Sequence, residues 1–285
     1  MMYYVVYGLL YLLSLLPWFV MYAIADLLTF LVFNVAGYRK DVVMSNLAIA
    51  FPEKSIAERS KIAKGFYRLL MDTLVEAIKL ISLSKEGLNK KFTGDAEILN
   101  ELMDEIDRPV QVMAMHNFNW EIVNLGIVQK LRHPFIGVYM PIKNKIFERL
   151  MVSIRARYGT LLVPATSFKK EFPKYQHLHH ILALVADQNP GDPNIAHWFP
   201  FFGKMTPFVK GAERGARISQ SAVVFGHFYP VRRGYYTFSK KLVTMNAAEL
   251  PEGELTRMYV EYVEECIRKH PENYLWSHRR WKHSK

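Results

Sequence analysis

Apolar positions run almost unbroken from Met1 to Ala36, and the only charge before Arg39 is Asp26. Met1 to Ala25 is uncharged; as one helix it would extend ~37 Å, longer than a hydrocarbon core of about 30 Å. The stretch lacks the basic flank of a secretory signal and is too long for one. It therefore predicts a retained membrane segment over residues 1–36. Pro17 and Asp26 divide it into a span and a second, shallower helix, Trp18 to Val35; the competing reading is a hydrophobic pair of core helices. Arg39 and Lys40 follow at once, which predicts that residues 37–285 lie on the cytoplasmic side.

Beyond that segment the pattern changes to an alternation of helical and strand periods. Apolar residues return every three or four positions from Ile56 to Ile81. Shorter helices are predicted over Asp95 to Ile106, Asn119 to Leu131, Lys145 to Tyr158, Phe168 to His180, Val209 to Ser219 and Glu254 to Lys269. Brief apolar runs predict strands at Val110–Met115, Phe135–Tyr139, Leu161–Val163, Ile181–Ala186, Ala222–Phe228 and Tyr235–Leu242. Strands alternating with helices predict an α/β domain over residues 37–285, with a largely parallel central sheet flanked by helices. Such sheets bind ligands beyond the carboxyl ends of their strands.

Composition narrows the partners. With 51% hydrophobic and 14% aromatic residues the chain can bury a full core, and the single cysteine, Cys266, excludes an intrachain disulfide. The formal charge of +11 suits an anionic partner, whether nucleic acid, phospholipid surface, phosphorylated substrate or acidic carrier protein.

The strand at Val110–Met115 runs directly into His116-Asn117-Phe118-Asn119-Trp120-Glu121, with Asn119 a good N-cap for the next helix. The strand-loop-helix bend would let Glu121 face His116. An imidazole with an ordinary pKa of about 6.5 is suited to take a hydroxyl proton, and a carboxylate behind it fixes the tautomer and stabilises the imidazolium. The spacing alone arises often by chance, and the competing reading is a histidine closing a strand. No His-Glu-x-x-His pattern is present, and neither a metal nor another cofactor is called for.

Several stretches resemble the bacterial lipid A late acyltransferases and lysophospholipid acyltransferases. They are Gly37-Tyr38-Arg39 with Asn46-Leu47 and Phe51-Pro52; His116 to Glu121, similar to a family His-x-Gly-Asn-Trp-Glu; Tyr139 to Asn144 with Arg155, Arg157 and Gly159; Ala186-Asp187-Gln188 with Phe201-Phe202-Gly203; and the unusual closing stretch Pro271 to Lys282. The resemblance implies an enzyme on the cytoplasmic face of the inner membrane, moving an acyl chain from acyl carrier protein to a phosphorylated glycolipid precursor of lipid A. It implies that His116 and Glu121 are the catalytic pair. Phe118 departs from the family's glycine and would narrow the approach to the base or reshape the acyl pocket.

Around that pair, Arg157 is a candidate phosphate ligand helped by Asn144 or Arg155, because a guanidinium fork matches phosphate geometry; Arg155 itself reads more readily as a solvated helix face. Asp187 and Gln188 close a strand and would line the same cleft, unless Asp187 is a plain cap. Arg279 and Arg280, with Lys282 and interleaved Trp276 and Trp281, would form a basic substrate-binding rim at the membrane interface rather than a nucleic-acid patch. The run His177-Leu178-His179-His180 lacks nearby acidic or cysteine ligands. Two rival readings share this chain: a phospholipid or aminolipid O-acyltransferase with the same chemistry, and a membrane-tethered binding protein for anionic ligands with no catalysis.

Overall fold

The computed structural model describes residues 2–283; Met1, where the expected membrane segment begins, and Ser284 and Lys285 lie outside it. Among the described residues, eight strands form two sheets: β1 (Val110–Ala114), β2 (Phe135–Tyr139), β3 (Leu161–Pro164), β4 (Ile181–Val185), β5 (His197–Phe201), β6 (Lys204–Phe208), β7 (Ala222–Arg232) and β8 (Tyr235–Thr244). The main sheet has the order β3-β2-β4-β1-β7-β8, and β5 pairs with β6. Every pairing in the main sheet is parallel except β7 with β8. This is the α/β architecture that the alternating pattern predicts.

The helices are α1 (Met2–Ser14), α2 (Trp18–Phe30), α3 (Lys40–Ala50), α4 (Ile56–Lys79), α5 (Lys85–Lys91), α6 (Glu97–Glu105), α7 (Trp120–Val128), α8 (Lys145–Arg155), α9 (Phe168–Glu171), α10 (Gly211–Ile218) and α11 (Glu254–Lys269). Both faces of the sheet are covered, which is why its central strands read as continuous apolar runs. Val110 and Val112 of β1 pack with Leu99, Ile122 and Leu125 of α6 and α7. Met113, of opposite parity, packs with Phe66 of α4 and Tyr259 and Val263 of α11.

Two local expectations fail for identifiable reasons. The helix expected over Phe168 to His180 stops at Glu171, and a 3-10 turn covers Phe172–Lys174. Pro173 lacks the N–H that would continue the ladder. The β5–β6 hairpin was not anticipated. Its two-residue turn, Phe202-Gly203, has positive φ at both positions (50° and 74°), as a type I′ turn requires, but Phe stands where Asn or Asp would advertise it.

Pro17 does break the apolar segment. α1 has 13 residues, ~20 Å at 1.5 Å per residue and too short to span. The helix long and apolar enough to cross a membrane is the second, Trp18–Ala36, with a mean hydropathy of 2.0; the sequence had assigned the span to the first. α2 also packs on α4, through Met21 and Ala25 against Met71 and Val75. Its one charge, Asp26, accepts bonds of 2.8 and 2.9 Å from Arg233, which also donates to the buried Asp72 at 2.6 and 2.9 Å. Arg233 thus clamps the apolar helix to α4. Replacing it with Met should destabilise the fold by roughly 3–5 kcal/mol, because Asp72 would remain buried without its partner. Thermal denaturation in detergent checks this; an unchanged midpoint would contradict it.

Candidate active site

β1 and β4 lie side by side in parallel, with Ala114 opposite Val185. Two residues beyond each strand stand His116 and Asp187, and there they meet. His116 Nδ1 lies 2.7 Å from Asp187 Oδ1, and the His116 backbone N–H donates to Asp187 Oδ2 at 3.2 Å. Nδ1 therefore carries a proton toward the carboxylate, leaving Nε2 with no hydrogen-bond partner among the described residues. Tyr259 of α11 ties the two strand ends together: its hydroxyl donates to the Ala114 carbonyl at 2.5 Å and accepts from the Ala186 N–H at 3.4 Å. Asp187 is buried.

Burial works against a charged imidazole, but the charge and hydrogen bond of Asp187 outweigh it and hold the His116 pKa above its usual value. For Asp187, burial favours the neutral acid, yet the His116 charge and the bonds from its ring and backbone keep the carboxyl below the usual carboxylate range. The two shifts describe one coupled pair.

The expected contact between His116 and Glu121 is not the one formed. Glu121 sits in the first turn of α7, whose cap is the Asn119 side chain accepting from the Glu121 and Ile122 N–H groups. Its carboxylate is buried and takes three bonds from Arg155, from Nη2 at 2.6 Å and from Nε at 3.0 and 3.2 Å, and one from the Trp120 indole at 3.0 Å. Arg155, which read as a solvated helix face, is itself buried, and its guanidinium lies over the Trp120 ring at 4.9 Å.

His116 and Arg155 both line a cavity of about 560 Å³. Its walls are mostly apolar: Val112 and Ala183 from the sheet, Val123 and Ile127 from α7, and Phe228 and Phe238 from β7 and β8. Gln188 and Asn189 also line it. The loop carrying His116 is held from the C-terminal stretch: Asn117 donates to the Asn273 carbonyl at 2.9 Å, and Phe118 N–H donates to the Asn273 side chain at 3.1 Å. Phe118 turns into the core against Phe66 and does not line the cavity, so it does not narrow the approach to the base.

The remaining expected ligands scatter. Asn144 caps α8 by accepting from the Ile146 and Phe147 N–H groups. Arg157 donates to the Leu80 and Ile81 carbonyls at 2.6 and 3.2 Å, which occupies its fork with backbone rather than phosphate. Arg280 is buried, donating to Asn189 at 2.7 Å and to the Pro207 carbonyl at 2.9 Å. Arg279 is exposed. Trp276 is buried and Trp281 stacks on Phe201, so these rings belong to the core, not to a membrane-interface belt. Of the histidine run, His179 donates to the Arg108 carbonyl and His180 to the Leu178 carbonyl.

The family model described as bacterial lipid A biosynthesis acyltransferase matches residues 1–283. This chain belongs to that family. It is 25% identical to the lipid A biosynthesis palmitoleoyltransferase of Escherichia coli K12, over 86% of this chain and 79% of that one. The lipid A biosynthesis lauroyltransferase of the same strain is also 25% identical, over 96% and 89%. Lipid A biosynthesis acyltransferase 2 of Shigella flexneri is 22% identical, over 81% and 74%. The chain is thus an acyltransferase of the lipid A type.

A catalytic base must be neutral, so if His116 is that base, activity should fall as pH drops through its pKa. With that pKa raised, the acid limb of kcat/KM should lie above the ordinary imidazole value of about 6.5. Asp187→Asn removes the charge that raises it. The limb should move to lower pH while the rate falls by roughly 10²- to 10⁴-fold. A limb that stays in place would show that Asp187 does not act on the base.

Proposed function

We propose that this enzyme moves a fatty acyl chain from acyl carrier protein to a hydroxyl of a phosphorylated glycolipid precursor of lipid A, at the cytoplasmic face of the inner membrane. The observation that carries the reading is the His116–Asp187 pair with His116 lining a largely apolar cavity. The cavity's volume falls within the ~300–1,000 Å³ typical of ligand pockets, and its wall suits a hydrocarbon chain. The relatives' names, palmitoleoyltransferase and lauroyltransferase, are of this kind. The net charge of +11 favours encounter with an acidic carrier. The helix Trp18–Ala36, followed by Arg39 and Lys40, supports attachment to the membrane with the sheet on the basic, cytoplasmic side.

In this mechanism His116 Nε2 takes the proton of the acceptor hydroxyl as its oxygen attacks the thioester carbonyl. Asp187 stabilises the imidazolium, which then returns the proton to the leaving thiol. Glu121 is a positioning residue. It fixes the Arg155 guanidinium in the cavity wall, where a positive charge would stabilise the developing oxyanion in a dry site. Gln188 lines the same cavity and would contact the substrate.

His116→Ala should lower kcat by at least ~10²-fold. Retention of more than about a tenth of wild-type turnover would rule out the base role. Separately, Ala183→Phe should fill part of the cavity and shift preference toward shorter acyl donors in a competition assay. An unchanged chain-length profile would place the acyl chain elsewhere.

A further inference from the structure

Beside the cavity lies a second recess of about 360 Å³, lined by Arg39, Asn189, His278, Arg279 and Lys282, with Pro190, Gly191 and His283 completing it. Three of these side chains are cations and none is a carboxylate. Among the described residues, Arg39, Arg279 and Lys282 form no ion pair. Like charges gathered without a counter-charge repel one another, so the cluster is most favourable with an anion in it.

The recess is built into the fold. Arg39 Nη1 donates to the Ser277 carbonyl at 2.8 Å, and Asn46 of α3 donates to the carbonyls of Trp276 and His278, each at 2.8 Å. These bonds strap the chain bearing Arg279 and Lys282 against the helix that follows Arg39. Asn189 belongs to both recesses, and its side chain donates to the Arg279 carbonyl while accepting from Arg280. His278 stands between the two sites. Burial first, then the charge of Arg280, pushes its pKa down to about 4, and the charges of Asp187, His116 and Arg39 also reach it. Its Nδ1 is buried with no hydrogen-bond partner. The wall therefore offers two guanidinium groups and an ammonium. A phosphate oxyanion is the ligand that such donors match.

Arg39 ties the recess to the apolar segment. It lies three positions beyond Ala36, where the apolar helix Trp18–Ala36 ends; with that helix crossing the bilayer, Arg39 would stand at the level where lipid headgroups meet water. We infer that Arg39, Arg279 and Lys282 bind a phosphate group on the headgroup of the bilayer-held acceptor and so set which hydroxyl reaches His116. This rests on the acyl-transfer reading above. The pantetheine arm of a thioester donor also carries a phosphate; the position of Arg39 at the end of the apolar helix favours the acceptor as the source.

The test uses full-length protein in detergent and the double variant Arg279→Gln with Lys282→Gln, two exposed side chains whose loss should leave the thermal midpoint unchanged. Wild type should use a glucosamine lipid bearing its phosphate better than the same lipid without it. The variant should raise KM for the phosphorylated lipid roughly 10- to 100-fold, the worth of one or two charge-assisted hydrogen bonds, and lose selectivity among its hydroxyls, with the donor KM little changed. A rise in donor KM alone would assign the recess to the donor and overturn the acceptor role. Equal use of both lipids by wild type would overturn phosphate recognition while leaving acyl transfer intact. A calorimetric titration with inorganic phosphate needs no turnover. Binding by wild type that the variant loses supports the anion site even if neither lipid is acylated, a result that would instead sink the acyl-acceptor reading. Absence of phosphate binding together with an unchanged acceptor KM would overturn the site.

Discussion

The in-register parallel pairing of β1 with β4 is the constraint on which the site depends. Because Ala114 faces Val185, chain segments of equal length carry His116 and Asp187 to the same level beyond the sheet. Their bond is thus set by a ladder of backbone hydrogen bonds in the middle of a sheet covered on both faces. Sites carried by rigid elements hold their geometry more tightly than sites on loops. Tyr259 reinforces the arrangement from α11, and Asn273 holds the following loop from the C-terminal stretch. The far end of the chain therefore braces the residues that its first strand presents.

Charge is distributed around this frame in two separate units. Asp187 serves the imidazole, and its burial makes that single interaction strong. Glu121 serves Arg155 through a multiply hydrogen-bonded pair that would be costly to break, since either member alone would be an uncompensated buried charge. A carboxylate committed so fully to a guanidinium has little left to offer a histidine. The two acids are therefore not interchangeable, although both stand beside the same cavity.

Much of the fold is legible from local pattern. Phe135–Tyr139 and Glu254–Lys269 have the predicted bounds, and β1, β4 and α7 differ from expectation only at their ends. The partner of His116 was harder to find, because Asp187 is 71 residues away and meets it only if β4 lies next to β1. Strand order is a tertiary property that periodicity does not encode; the readable clue was that both residues directly follow buried strands. Glu121 was nearer in sequence and had the right chemistry, but an arginine at the end of α8 claims it. Burial of Arg155, Arg280 and Trp276 was also invisible locally, since the positive charge and amphipathic rings of that composition suit a surface equally well. The Phe202-Gly203 turn was hidden because the backbone accepts positive φ at a phenylalanine.

A kinetic double-mutant cycle tests the central claim, that His116 and Asp187 act as one catalytic unit, most directly. Turnover would be measured for wild type, His116→Ala, Asp187→Asn and the double variant, with phosphorylated glycolipid and saturating thioester. If Asp187 works only through the imidazole, the double variant should be no slower than His116→Ala alone, because residues acting as a unit are strongly non-additive. Losses that multiply, so that Asp187→Asn slows an enzyme already lacking the imidazole by its full factor, would contradict the account.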